Sequence, residues 1–167
     1  PTQTPTPTQT PTLAPTPTPT PTPTRPTVCV DDGYEENDTC GAATAITAGT
    51  YRDLQICSGD DDYFAVDLKA GDALTMDIFF SHNLGDLDVT LYDADCLTTL
   101  DTSHSTSDNE RVAHTAAADV TAKLRVYGYQ GAENSYEMVV EVVPAGATAT
   151  PTRTPTGTAT PVHSASK

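Results

Sequence analysis

Two short acidic stretches hold the side chains best suited to chemistry. The first, Tyr34-Glu35-Glu36-Asn37-Asp38-Thr39, places three carboxylates and one amide in four consecutive residues. The second, Ser58-Gly59-Asp60-Asp61-Asp62-Tyr63, places three carboxylates in a row. Carboxylates this close repel one another unless they face open water or share a cation. Ca²⁺ takes about six to eight oxygens from carboxylates, amides and carbonyls, and these stretches offer that donor set. They are therefore read as two halves of one Ca²⁺ site, with Glu35, Asn37 and Asp38 on one loop and Asp60, Asp61 and Asp62 on the other. Neither is an EF-hand, because no run of alternating Asp or Asn closes on a Glu twelve residues on. Asn37-Asp38-Thr39 is also an N-glycosylation sequon, but an Asn that ligates metal cannot carry a glycan.

Catalytic readings find little to stand on. His82, His104 and His114 are scattered along the chain. Ser103-His104-Ser105 offers a hydroxyl beside an imidazole, without a nucleophile elbow or an oxyanion motif. Carboxylate pairs can be drawn at will from 23 acids, so they carry no glycosidase signal without geometry. The chain is read as non-enzymatic.

The elements that must position these residues lie in one segment. Residues 1–27 hold ten prolines and twelve threonines, and residues 144–167 are again rich in Thr, Pro and Ala. Between them, from 28 to 143, there is no proline. The chain divides into a Pro-Thr stalk or linker (1–27), one domain (28–143) and a second linker (144–167). Alternating proline biases the first flank to extended polyproline II, with Thr16, Thr18, Thr20, Thr22 and Thr24 as candidate O-glycosylation sites. The flanks hold three bases and no acid, so the domain carries all 23 acids against five bases, a net charge of −18. That balance argues against nucleic acid and anionic membranes as partners. No apolar run reaches the length of a membrane span and no signal peptide is present. Because the chain opens inside a repeat, it is expected to be a processed product or a piece of a longer protein.

Cys29, Cys40, Cys57 and Cys96 fit no zinc spacing and imply two disulfides in an oxidising compartment, hence an extracellular or cell-surface location. Three pairings are possible. Cys29–Cys57 with Cys40–Cys96 is expected, because Cys29 and Cys57 each precede one of the acidic loops that must converge. Cys29–Cys40, around the first loop, is the alternative.

Period-two alternation runs through the domain. It covers 54–56, 63–68, 73–80, 87–92, 121–129 and 136–142, more weakly 97–102 and 110–115, with a helical turn or short strand near 42–46. About eight short strands, each with one apolar face, predict an all-β fold: an antiparallel β-sandwich or jelly roll. Tyr127 and Tyr129 fall on one face of a late strand, and Asp86 and Asp88 on what reads as a solvent-facing side.

Five ordered motifs resemble the bacterial pre-peptidase C-terminal domain, a relative of the collagen-binding domains of clostridial collagenases. They are Tyr34-Glu35-Glu36-Asn37-Asp38-Thr39, Gly59-Asp60-Asp61-Asp62-Tyr63-Phe64, Ala70-Gly71-Asp72, the run from Gly85 to Asp93, and Leu124-Arg125-Val126-Tyr127-Gly128. The resemblance implies a non-catalytic jelly-roll sandwich found beside secreted hydrolases or in surface proteins. It also implies Ca²⁺ ligands at Glu35, Asn37, Asp38, Asp60 and Asp62. Collagen-binding relatives have a further acid where this chain has Gly33, and Asp31 or Asp32 is the substitute available. The expected function is a structural bead between stalks, joined to copies of itself in a fibre. The alternative is an accessory module that binds extracellular protein or polysaccharide for a larger hydrolase.

Overall fold

The computed structural model describes residues 29–147. The Pro-Thr stretch 1–27 with its candidate threonines, and most of the linker 144–167, lie outside the described residues. The chain enters through the acidic loop, makes a 3₁₀ turn at Cys40–Ala42, and then forms nine strands. These are β1 (Thr44–Ala45), β2 (Gly49–Ile56), β3 (Asp61–Leu68), β4 (Ala73–Phe79), β5 (Leu87–Tyr92), β6 (Thr99–Ser103), β7 (Glu110–Thr115), β8 (Val120–Gly128) and β9 (Asn134–Val143). Where about eight strands were expected there are nine. The segment near 42–46, ambiguous in sequence, supplies both a 3₁₀ turn and a two-residue strand.

The strands form a β-sandwich. One sheet has the order β1-β3-β8-β5-β6, the other β2-β9-β4-β7. All pairs are antiparallel except β1 on β3, which is parallel. The exception follows from length, since a two-residue strand on the edge needs only one or two ladder bonds, such as Ile46 N to Ala65 O at 2.9 Å. Alternation places Leu54 and Ile56, Phe64, Val66 and Leu68, Leu74, Met76 and Ile78, Leu87, Val89 and Leu91, Leu124 and Val126, and Met138 and Val140 in one core between the sheets.

Strand order decides what periodicity leaves open. β5 has β6 on one side and β8 on the other, so its outer side is not freely solvated. Asp88, expected to face solvent, is only 5 % exposed and stands against Tyr127 and His104. Tyr127 and Tyr129 do not share a face: β8 stops at Gly128, and Tyr129 begins a 3₁₀ turn that leaves it exposed. Tyr127 remains on the sheet, with the Arg125 guanidinium 4.2 Å from its ring centre.

The turn at Gly128 sets the start of β9, and a Cβ at Gly128 would lie 1.8 Å from the Ala132 carbonyl oxygen. Gly128→Ala therefore has to displace backbone, and is expected to cost about 1–3 kcal/mol. Gly33→Ala, whose Cβ would meet nothing within 4 Å, is expected to stay within about 0.5 kcal/mol. Urea unfolding of the two variants beside the parent checks both.

Candidate metal centre

Each acidic loop is held by contacts that its sequence explains. The entry loop is pinned by Tyr34, whose ring packs edge-on against Tyr51 and Phe64 at centroid distances of 6.0 and 5.9 Å. Thr44 Oγ1 donates to the Tyr34 carbonyl at 3.2 Å. The Asp32 carboxylate accepts from Tyr34 N at 2.8 Å and, across the sandwich edge, from Gln55 N at 2.9 Å. The second loop turns through Gly59 at φ 85°, a conformation that suits glycine. Asp60 Oδ2 then accepts from Cys57 N at 3.3 Å. The loops join backbone to backbone where Tyr63 N donates to Asn37 O at 3.0 Å. The disulfides are Cys29–Cys57 and Cys40–Cys96, so the entry loop is tied at one end to the second loop and at the other to the turn after β5.

Asp62 is the central residue. It sits on β3 in phase with Phe64, Val66 and Leu68, on the face that packs the core, and is fully buried. The Tyr136 hydroxyl of β9 donates to its Oδ2. Ligand oxygens of Asp32, Glu35 and Asp62 lie within 4.8 Å of one another. Asn37, also fully buried, points the end of its amide into this group. That atom is 3.0 and 3.2 Å from the two Glu35 carboxylate oxygens and 3.2 Å from Asp62 Oδ1. With nitrogen in that position the amide bridges the two carboxylates by hydrogen bonds. With oxygen there, only oxygens converge, at about the 3 Å spacing of ligands that share a Ca²⁺.

The remaining acids form a rim. Asp31 and Asp60 group with Cys57, whose sulfur is committed to its disulfide, and Glu35, Glu36 and Asp38 form a third, more exposed group. The five residues expected from sequence thus fall across three neighbouring groups: Glu35, Asn37 and Asp62 at the centre, Asp38 in the more exposed group and Asp60 with Asp31. Of the two acids considered in place of Gly33, Asp32 lies in the central group and Asp31 beside Asp60. Tyr136 was not foreseen: it is 74 residues from Asp62 in the chain, and nothing local marks it. Asp62 carried a usable signal, since the same period-two count that buries Phe64 buries it.

The electrostatics are unfavourable without a cation. Burial, aided by the charges of Asp32 and Glu35 and opposed by the Tyr136 hydroxyl, pushes the Asp62 carboxyl up to about 8. Burial raises Glu35 to about 7, with the Asn37 N–H opposing it, and raises Asp60 to about 6 against the Cys57 N–H. Tyr136 is pushed well above the usual phenol range by burial and by Asp62. Among the described residues, no Lys or Arg pairs with the group. Arg52 pairs with Glu137, Lys69 with Asp119, Arg111 with Asp77 and Arg125 with Asp61, while Lys123 Nζ bonds the Cys40 carbonyl.

The other chemistry considered is committed elsewhere. Ser103 Oγ donates to Glu110, and Ser105 Oγ donates to the same carboxylate at 2.5 Å, so neither hydroxyl serves His104. The His104 ring instead meets Thr102 Oγ1 at 2.7 Å and Tyr127 Oη at 3.2 Å. His82 meets Asp86 at 3.0 Å. The buried Asn37 side chain is not accessible for glycosylation in the folded domain. Two disulfides place the domain in an oxidising compartment. Among the described residues, no helix is long and apolar enough to cross a membrane.

No family model matches the chain, and no curated protein matches it in sequence. Solved structures do. The pre-peptidase C-terminal domain of collagenase from Bacillus anthracis aligns over 59 % of this chain and 94 % of its own, with 17 % identity and a TM-score of 0.51. A periplasmic lysozyme inhibitor of g-type lysozyme from Aeromonas hydrophila aligns over 60 % and 97 %, with 12 % identity and a TM-score of 0.48. The β-sandwich expected from alternation and from the ordered motifs, here built of nine strands, thus has the fold of a pre-peptidase C-terminal domain.

Proposed function

We propose that this domain is a non-catalytic extracellular module, a bead stabilised by calcium and disulfides between O-glycosylated Pro-Thr stalks of a surface protein or fibre. The observation that carries the calcium reading is the fully buried Asp62, with Asn37, Glu35 and Asp32 converging on it and all five bases engaged elsewhere. Asp32, Glu35, Asn37 and Asp62 would hold the ion, and Asp31, Asp38 and Asp60 would complete or rim the site. Its role is architectural: it joins the chain's entry to the start of β3 and, through Tyr136, to β9 of the facing sheet. The structural reading of the whole protein is supported by the flanks and by the commitment of the histidines and serines to other partners. A homogeneous monomer in gel filtration and electron microscopy of the full chain would overturn the fibre.

A second reading is an accessory binding module of a larger secreted hydrolase. It is favoured by the shared fold with a collagenase domain and by the exposed Tyr129 beside the Arg125–Tyr127 pair. Retention on collagen, cellulose or chitin columns separates it from the first.

Calcium at about 100 times its Kd stabilises a folded protein by ~2.7 kcal/mol. The melting temperature should therefore fall by about 10 °C on chelation, a domain of this size moving about 4 °C per kcal/mol. The chain has seven tyrosines and no tryptophan. Tb³⁺ bound in place of Ca²⁺ should thus emit on tyrosine excitation, and Tyr136→Phe should weaken that emission. No melting shift and no sensitised emission would remove the metal. Asp62→Asn should abolish the calcium effect, and in chelator above about pH 8, where the parent carboxyl is charged, it should raise stability because it takes a buried charge away.

The raised carboxyls give a pH dependence of defined sign. Asp62, Glu35 and Asp60 hold folded values of about 8, 7 and 6, above the ordinary 3.8, 4.5 and 3.8. The folded state binds these protons more tightly than the unfolded chain does. Their stabilisation is complete below about pH 4 and is lost as pH rises towards 8. In chelator, the urea midpoint should fall across that window, and saturating Ca²⁺ should flatten or reverse the slope.

A further inference from the structure

The two disulfides stand in opposite electrostatic surroundings. Cys57 Sγ lies with carboxylate oxygens of Asp31 and Asp60, all within 4.8 Å of one another. A thiolate leaving there would face two carboxylates, whose repulsion makes it a poor leaving group. Cys29 Sγ, its partner, faces the Ile56 carbonyl oxygen at 3.8 Å, the negative end of a dipole. Among the described residues, no base pairs at either sulfur.

Cys40–Cys96 differs. Lys123 rises from the middle of β8 and places Nζ 3.7 Å from Cys40 Sγ and 2.5 Å from the Cys40 carbonyl oxygen. Its cross-strand neighbours are Ala65 and Tyr92, so no carboxylate stands opposite it in the ladder. Cys96 belongs to the turn that carries Asp93 and Asp95, and its N–H donates to the Asp93 carbonyl at 3.1 Å. An ammonium thus stands at Cys40 Sγ, while the turn of Cys96 offers acids and no base, which makes Cys40 the better leaving group.

We propose that Cys40–Cys96 is a redox-releasable clasp on the acidic loop, opened by small neutral or cationic thiols ahead of Cys29–Cys57. An external thiolate attacks Cys96 Sγ. The S–S bond breaks, and its electron pair leaves on Cys40 Sγ as a thiolate beside the Lys123 ammonium. A second external thiol attacks the mixed disulfide, which frees Cys96 as a thiol and forms the external disulfide. Two external thiols are oxidised, and one protein disulfide is reduced by two electrons. The net charge of −18 disfavours anionic thiols in the first step. Opening the clasp leaves the loop of Glu35, Asn37 and Asp38 tied through Cys29–Cys57 and Tyr34, without its second covalent anchor.

The test uses the full chain in chelator, so that its result is independent of calcium, at about pH 8, where small thiols are partly ionised. Limiting dithiothreitol is added, the reaction is quenched with iodoacetamide, and alkylated peptides are mapped over time. Cys40 and Cys96 should be labelled about three- to tenfold faster than Cys29 and Cys57. Lys123→Gln should slow that labelling by a similar factor, and Lys123→Arg should preserve it. A lysine that only braces the loop through the Cys40 carbonyl predicts the opposite, faster opening in Lys123→Gln. Equal rates at the two bonds, earlier opening of Cys29–Cys57, or unchanged or faster opening in Lys123→Gln would overturn the proposal. The ordering in the parent chain decides by itself if Lys123→Gln fails to fold.

Discussion

A carboxylate on the core face of β3 is the constraint on which the rest of the structure depends. Asp62 occupies a position that alternation reserves for an apolar side chain, and it is fully buried there. A lone buried carboxylate is costly unless it is neutralised or paired. The surrounding fold is arranged around that cost. Tyr136 donates one hydrogen bond from the facing sheet, and Asn37 reaches it from the entry loop. Glu35 and Asp32, instead of relieving the charge, add to it. An arrangement that gathers acids around a buried acid makes physical sense when a cation binds among them.

The scaffold keeps those acids together against their repulsion. Tyr34 inserts between Tyr51 and Phe64, so that the loop is anchored by packing as well as by bonds. Cys29–Cys57 ties the two acidic loops, and Cys40–Cys96 ties the far end of the first loop to the turn beyond β5. A disulfide restricts the unfolded chain. Here it also limits how far the charged loop can move when its charges are not balanced. The bases are placed away from the group, each engaged on an outer surface or at a carbonyl.

The sandwich class was legible because period-two alternation reports which face is buried. That is a local property of each strand, and only the start of β3 at Asp61 brings Asp62 into the same inward phase. It could not report position within a sheet. Asp88 reads as solvent-facing, yet it is buried because β5 lies between β6 and β8 with Tyr127 and His104 around it. Tyr129 reads as a strand residue, yet the chain turns at Gly128, where a close approach to Ala132 leaves no room for a side chain.

From sequence alone came the all-β class, the boundaries between an acidic domain and Pro-Thr flanks, the need for two disulfides, and the two loops that supply the acids. These follow from composition and from contacts between near neighbours in the chain. Only the tertiary structure decided that Asp32 lies with Glu35 and Asp62 while Asp31 lies with Asp60, that Tyr136 holds Asp62, and that Lys123 lies against Cys40. Each of those depends on strand order and register, which bring together residues such as Asp62 and Tyr136, 74 positions apart. The initial acidic stretch can show that it has carboxylates to offer, but the burial of the acid they gather around is set by the opposite sheet.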